Sequence, residues 1–219
     1  QLFTIDSTTA PVFDAPPADI TVECESDVPA MTDLGWTDNC DGIGTVTGAD
    51  ASDGGTCPEI ITRTWTYSDA CGNTTSVTQT ITVLDDIAPV FEPAPADVSV
   101  QCFSDVPAMT DLGWTDNCDG SGQVMGTDQS DGNNCPETIT RTWTYTDACG
   151  NTTDCTQIIT VDDDIAPEIT CPGPITVQCI GDVPAADISL VTATDNCGPV
   201  TVTHVGDESD NQTCPETIT

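Results

Sequence analysis

Thr62-Arg63-Thr64-Trp65-Thr66-Tyr67-Ser68-Asp69 sets large side chains against small hydroxyls, with Trp65 and Tyr67 on one face. A period of two marks a half-buried β-strand. The motif returns as Arg141-Thr142-Trp143-Thr144-Tyr145, 78 positions later. Working outward, Ala10-Pro11-Val12-Phe13 returns as Ala88-Pro89-Val90-Phe91, and Thr37-Asp38-Asn39-Cys40-Asp41-Gly42 returns as Thr115 to Gly120. A third copy opens at Ala166-Pro167. It keeps Thr194-Asp195-Asn196-Cys197 and Cys214-Pro215-Glu216-Thr217-Ile218-Thr219, shifted by one residue. A fixed long period means a tandem array.

The alignment divides the chain into residues 1–9, the last strand of a preceding repeat; 10–87, repeat one; 88–165, repeat two; and 166–219, a third repeat without its last two strands. Gln1-Leu2-Phe3-Thr4-Ile5 lines up with Gln79-Thr80-Ile81-Thr82-Val83. This predicts that the chain is part of a longer polypeptide. Ile20-Thr21-Val22-Glu23-Cys24 and Thr78 to Val83 also alternate, and Asp-Gly, Gly-Asn and Pro-rich breaks separate the runs. Short strands with turns every 8–12 residues predict an all-β fold of tandem immunoglobulin-like β-sandwich repeats arranged end to end.

Thirty-seven acidic residues against two basic ones, Arg63 and Arg141, give a formal net charge of −35. Nucleic acid and anionic lipid both need Lys and Arg to neutralise phosphate, so neither is an expected partner. No stretch approaches the length of an apolar membrane span, so no membrane insertion is expected. Thirteen cysteines with no C-x-x-C and one His favour disulfides in an oxidising compartment over zinc. The expected location is therefore secreted: a cell surface or an extracellular filament.

Asp147-Ala148-Cys149-Gly150-Asn151-Thr152-Thr153-Asp154-Cys155, followed by Ile158-Ile159-Thr160-Val161-Asp162 and Pro167-Glu168-Ile169-Thr170-Cys171-Pro172, resembles the hyalin repeat (HYR) domain. The Asp-Asn-Cys and Asp-Ala-Cys-Gly-Asn cysteines look like the HYR-like repeats of large bacterial surface adhesins and filaments. The resemblance implies an adhesion or stalk role with no catalytic residues to carry over. The family's early and late cysteines of one domain are incomplete here: repeat one has Ala15 and Val77 in those places, and repeat two has Pro93 with Cys155.

Four cysteines recur per repeat, and four allow three pairings. In an immunoglobulin-like sandwich, the loop carrying Cys40 and the last hairpin carrying Cys71 share a pole. Cys24 and Cys57 fall at the other. The expected bridges are Cys24–Cys57, Cys40–Cys71, Cys102–Cys135, Cys118–Cys149 and Cys179–Cys214. Cys155, Cys171 and Cys197 are left without a partner in the chain.

Each repeat ends in acids and meets Ala-Pro, as in Leu84-Asp85-Asp86-Ile87-Ala88-Pro89 and Asp162-Asp163-Asp164-Ile165-Ala166-Pro167. The receiving pole carries an Asp-Asn pair and the hairpin Asp and Asn. Calcium takes six to eight oxygens from such groups. The candidate ligands are Asp6, Asp38, Asn39, Asp69, Asn73, Asp85, Asp86, Asp116, Asn117, Asp147, Asn151, Asp163, Asp164, Asp195 and Asn196. The competing reading has Asp and Asn making turns. Candidate glycan acceptors are Asn73, Asn151 and Asn211, in the N-x-Ser/Thr pattern, and Ser7.

These features predict a structural extracellular protein: an adhesin stalk or filament building block, stiffened by disulfides and inter-repeat Ca2+. Its partners would be like repeats in the same or neighbouring chains, and glycans or surfaces. The alternative is a carbohydrate- or ligand-binding module of a secreted protein. An enzyme is not expected, because a catalytic constellation should occur once, whereas these acids recur.

Overall fold

The computed structural model describes Leu2, residues 7–212 and residues 215–219. The expected strand Gln1–Ile5, Asp6 and Cys214 fall largely or wholly outside the described residues.

In the first repeat seven strands form two sheets. They are β1 (Val12–Phe13), β2 (Ile20–Val22), β3 (Asp33–Asp38), β4 (Gly42–Thr47), β5 (Ala49–Ser52), β6 (Glu59–Ser68) and β7 (Thr74–Val83). One sheet has the order β1-β3-β4 and the other β2-β7-β6-β5. β6 and β7 are antiparallel in register Glu59↔Val83 to Ser68↔Thr74, and β2 joins β7 in parallel, Ile20↔Ile81. The quoted stretch is β6. Its Ile61, Arg63 and Trp65 are buried, as the alternation demands, and Trp65 is wholly so.

β7 presents Ile81 and Val83 to Ile61, with Ile20, Val22 and Val28 packed around them. Trp36 of β3 stacks on Tyr67 of β6, ring centroids 3.7 Å apart, and so joins the two sheets. The Trp65 indole N–H donates to the Thr32 carbonyl at 3.0 Å, so its one polar atom is satisfied. Trp36 and Trp65 are buried in the core, and Tyr67 is half-buried beside them.

The second repeat repeats the plan with β8 (Val90–Phe91), β9 (Val98–Val100), β10 (Leu112–Asp116), β11 (Gly120–Val124), β12 (Thr127–Ser130), β13 (Glu137–Thr146) and β14 (Thr152–Val161). Its sheet orders are β11-β10-β8 and β12-β13-β14-β9. The third repeat contributes β15 (Glu168–Thr170) paired with β16 (Thr192–Thr194). Among the described residues no side chain after Val161 joins the buried set. In repeats one and two the long paired strands, β6 with β7 and β13 with β14, carry the core.

Contacts divide the chain into two compact units. One comprises Gln1–Pro95, Met109–Thr127 and Thr142–Thr156, and the other Ala96–Ala108, Asp128–Arg141 and Gln157–Thr219. The first unit therefore holds the whole first repeat together with the β10 loop and the β13–β14 hairpin of the second. The carboxyl end of repeat one meets repeat two inside it.

Candidate functional site

The cysteines define this meeting. Cys24 bonds Cys118 and Cys57 bonds Cys149, both within the first unit, with Cα atoms 5.3 and 5.1 Å apart. Cys102 bonds Cys197 within the second, at 5.0 Å. Among the described residues, every bridge joins a cysteine of one repeat to a cysteine of the next.

The expected Cys24–Cys57, Cys40–Cys71, Cys102–Cys135 and Cys118–Cys149 pairs do not form, and Cys197, expected to lack a partner, has one. The assignment of cysteines to poles stands. The error lay in pairing two cysteines on one pole. Cys24 and Cys57 at the exit of repeat one bond Cys118 and Cys149 of repeat two, and Cys102 of repeat two bonds Cys197 of repeat three. Cys40, Cys71, Cys135, Cys155, Cys171 and Cys179 are free. The expected Cys179–Cys214 pair involves a residue outside those described.

Two local conformations present the bonded sulfurs. Cys24 and Cys102 each precede a single 3-10 turn in extended backbone, with φ −114° and −118°. Cys118 and Cys197 sit in Asx turns, where Asp116 and Asp195 accept the cysteine N–H at 2.9 Å. Asp116 also accepts the Asp119 N–H at 2.8 Å through the same oxygen.

The linker carboxylates converge on this bridge. Asp85, 5% exposed, Asp116 and the Cys118 sulfur each offer an atom within 4.8 Å of the others. Asp163, Asp195 and Cys197 repeat the arrangement in the second unit. Asp85 accepts from the Asn117 amide and the Ile87 N–H, both at 3.1 Å. Asp163 accepts from Asn196 and the Ile165 N–H, both at 3.2 Å. The second oxygen of Asp116 is buried and has no hydrogen-bond partner, and the same is true of Asp38 in repeat one. An orphaned buried carboxylate oxygen is costly unless a cation meets it.

Other candidates do different work. Asp147 accepts the Asn151 backbone N–H and side-chain amide, both at 2.8 Å, closing the β13–β14 hairpin. Burial pushes its carboxyl up, but the Asn151 amide and three turn N–H groups outweigh this and hold it below the usual range. Asp69 makes the same turn with Asn73, whose side chain is the main cause of its lowered pKa. Gly72 between them adopts φ +89°, which a β-carbon would strain.

Both asparagines reach further. Asn151 donates to the Asp85 carbonyl, and Asn73 to the Ser7 carbonyl, each at 2.9 Å. They tie hairpin to linker, and each amide nitrogen donates both to the linker carbonyl and to the hairpin carboxylate. Ser7 is buried; Asn211 is exposed. Asp86 and Asp164 are exposed and stand outside the carboxylate clusters, and Asn39 is exposed.

Two features escaped the reading of the sequence. Asp41 accepts the Tyr67 hydroxyl at 3.1 Å and the Ala70 N–H at 3.0 Å, bracing the Cys40 loop against the hairpin. Burial, then the Asp41 bond, raises the Tyr67 pKa. Arg63 is 4% exposed and pairs through two nitrogens with Asp50, at 2.8 and 2.9 Å, while donating to the Pro29 carbonyl. Arg141 and Asp128 repeat it. Arg63 shares parity with Trp65, which was the available signal for its burial.

No helix among the described residues is long and apolar enough to cross a membrane. No curated protein matches the chain. A model of the "HYR-like domain with 4 cysteines" matches residues 12–83 and 90–161, each containing one set of the four recurrent cysteines. Such tandem repeats with disulfides mark an extracellular structural or adhesion module of a typically non-catalytic kind. Over most of its length, the chain belongs to the family of HYR-like domains with four cysteines.

Proposed function

We propose that this chain is a load-bearing segment of an extracellular adhesin stalk or filament and performs no catalysis. One observation carries the reading: the exit cysteines of repeat one are both bonded to repeat two. A single bridge leaves a swivel, whereas two bridges on one junction, with Asn151 holding the linker, remove it. Tension between repeats then passes through covalent bonds, not through a packed interface.

The same junction is suited to a calcium ion. Asp85 and Asp116 would hold it, with Asp163 and Asp195 as the second pair, and the orphaned Asp116 oxygen is the observation that favours it. The bonded cysteine sulfurs are no ligands for a hard cation, and Asp147 is already satisfied by its turn, so water completes the shell. Two carboxylates and water suit the weak range of extracellular modules, about 10⁻⁴–10⁻³ M. Without a cation, two carboxylates at this range repel by about 1–3 kcal/mol.

Calorimetric titration with calcium tests the metal. Heat in that range, abolished when Asp85→Asn, Asp116→Asn and Asp163→Asn are combined, is the expected result. No heat from the parent chain would leave the acids as a solvated surface. Stretching single molecules with and without reductant tests the load path.

A further inference from the structure

The smaller sheet of each full repeat ends in an open strand. β4 ends the order β1-β3-β4, and β11 ends the order β11-β10-β8. The hydrogen-bonding directions of β4 follow from its neighbours. The Asp14 N–H donates to the Gly35 carbonyl at 2.9 Å, so the Gly35 backbone faces β1. Backbone groups alternate sides along an antiparallel strand, so Leu34, Trp36 and Asp38 bond across to Val46, Gly44 and Gly42. The N–H and C=O groups of Ile43, Thr45 and Thr47 are therefore directed away from the sheet. All three residues are exposed, and among the described residues none makes a backbone bond to another segment.

Sheet edges are ordinarily blunted by charge or proline. β5, an edge of the other sheet, carries Asp50, and its counterpart β12 carries Asp128. Gly42 to Ala49 holds neither charge nor proline, in a chain with 37 acidic residues, and nor does Gly120 to Thr127. β11 has a repeat on either side of it in the chain and still ends its sheet, so the open edge is not peculiar to the first repeat. The two edges differ in what borders them. Val12 and Ile43, 63% and 83% exposed, lie on either side of Thr37 and carry an apolar strip out to the edge of β4. At β11, Ser121 and Gln123 stand in the places of Ile43 and Thr45.

We propose that β4 is a lateral docking edge whose occupant is β4 of a second copy, paired antiparallel about Thr45. The strand is its own complement in that register. Ile43 of one copy lies opposite Thr47 of the other, and Thr45 lies opposite Thr45, where each N–H donates to the other copy's carbonyl. The cross-strand neighbours are β-branched on both sides, a pairing that stabilises sheets. The uncharged window lets the two backbones meet without setting carboxylates opposite each other, although each copy carries a formal charge of −35. Strand addition to an open edge is a recurrent mode of recognition. The contact is isologous, so each β4 edge is filled by one partner. This goes beyond the load-bearing reading, because repeats in single file need no neighbour.

The test is sedimentation equilibrium of the full chain, with its disulfides intact and its free thiols capped by iodoacetamide so that no new disulfide joins copies. Salt at about 1 M, where the Debye length is about 3 Å, screens the repulsion between copies. The mass should rise with concentration from 22.8 kDa toward twice that value. Thr45→Pro removes an outward N–H and leaves the ladder to β3 whole, a placement that edge strands tolerate. It should raise the dimer dissociation constant about tenfold or more, because both bonds at the axis are lost. Ile43→Asp, a surface change that spares the backbone, should weaken association as well, whereas Thr45→Val keeps the N–H and should match the parent. Gln123→Pro makes the same backbone change on β11 and should leave association unaltered. Circular dichroism of each variant reports that the fold is kept. A parent chain that stays at 22.8 kDa at every concentration overturns the proposal. So do Thr45→Pro and Ile43→Asp chains that associate as tightly as the parent, or association that Gln123→Pro abolishes. None of these results touches the load-bearing reading, which fails instead if the Cys24–Cys118 peptide is not recovered.

Discussion

Pulling the oxidised chain by its ends measures the disulfide register directly. Force entering at residue 1 reaches Cys24, crosses to Cys118, runs back to Cys102, crosses to Cys197 and leaves at Thr219. Only residues 1–24, 102–118 and 197–219 bear tension. That is about 60 peptide units, or a limiting extension of about 220 Å at ~3.6 Å per residue. Each bridge adds only its Cα separation, 5.3 and 5.0 Å. Reduction frees all 219 residues and raises the limit to about 780 Å. Cys102→Ser opens the path from Cys118 to the carboxyl end and predicts about 450 Å. Bridges confined within repeats would leave about 120 units under tension and a limit of about 420 Å. Optical-trap extension of the full chain with terminal handles resolves these lengths. A parent curve ending near 420 Å would refute the cross-repeat clasp.

Other outcomes follow from the same geometry. Asp50→Asn leaves Arg63 buried without a counter-charge. It should cost about 2 kcal/mol in chemical denaturation, below the figure for a fully buried pair because Asp50 is about one-third exposed. The pKa values of Asp50 and Asp128 are lowered, chiefly by their hydrogen bonds to Arg63 and Arg141. A depressed carboxylate stabilises the fold above its unfolded value of about 3.9, and this is lost as pH falls through the folded value. The parent chain should therefore lose its melting-temperature advantage over Asp50→Asn as pH falls from about 5 to below about 4; an advantage unchanged across that window would contradict the ion pairs. Asn151→Ala unties the Asp85 carbonyl and the hairpin, and should cost about 1–2 kcal/mol and speed proteolysis at Asp85–Ala88. In a host that attaches N-glycans, mass spectrometry should find Asn211 modified and Asn73 and Asn151 bare; glycan on Asn151 would show that the hairpin tie opens.

The strands were legible because alternation is a local signal. Trp65 and Tyr67 on one parity placed β6, and the 78-residue period multiplied every such reading. The poles of the cysteines were legible for the same reason, since strand ends fix which end of the sandwich a residue occupies. The partners were not. Cys24 is nearer in sequence to Cys57 than to Cys118, and nothing in the alternation says that a junction is closer than the other corner of the same pole. The acids divided along similar lines. Asp147 with Asn151 reads as a ligand pair or as a turn, and the structure makes it a turn because four hydrogen bonds join Asp147 to Asn151 and Gly150 within its own loop. Asp85 and Asp116 are distant in sequence and meet only because the linker is held against the loop. Arg63 was hidden by its charge: its parity pointed inward, but Asp50, which makes that burial tolerable, lies on another strand.

Covalent joining of successive repeats is read out by peptide mapping of the oxidised chain after proteolysis in acid, where disulfides do not exchange. Linked peptides containing Cys24 with Cys118 and Cys57 with Cys149 are expected. Peptides joining Cys24 to Cys57 and Cys118 to Cys149 would contradict it.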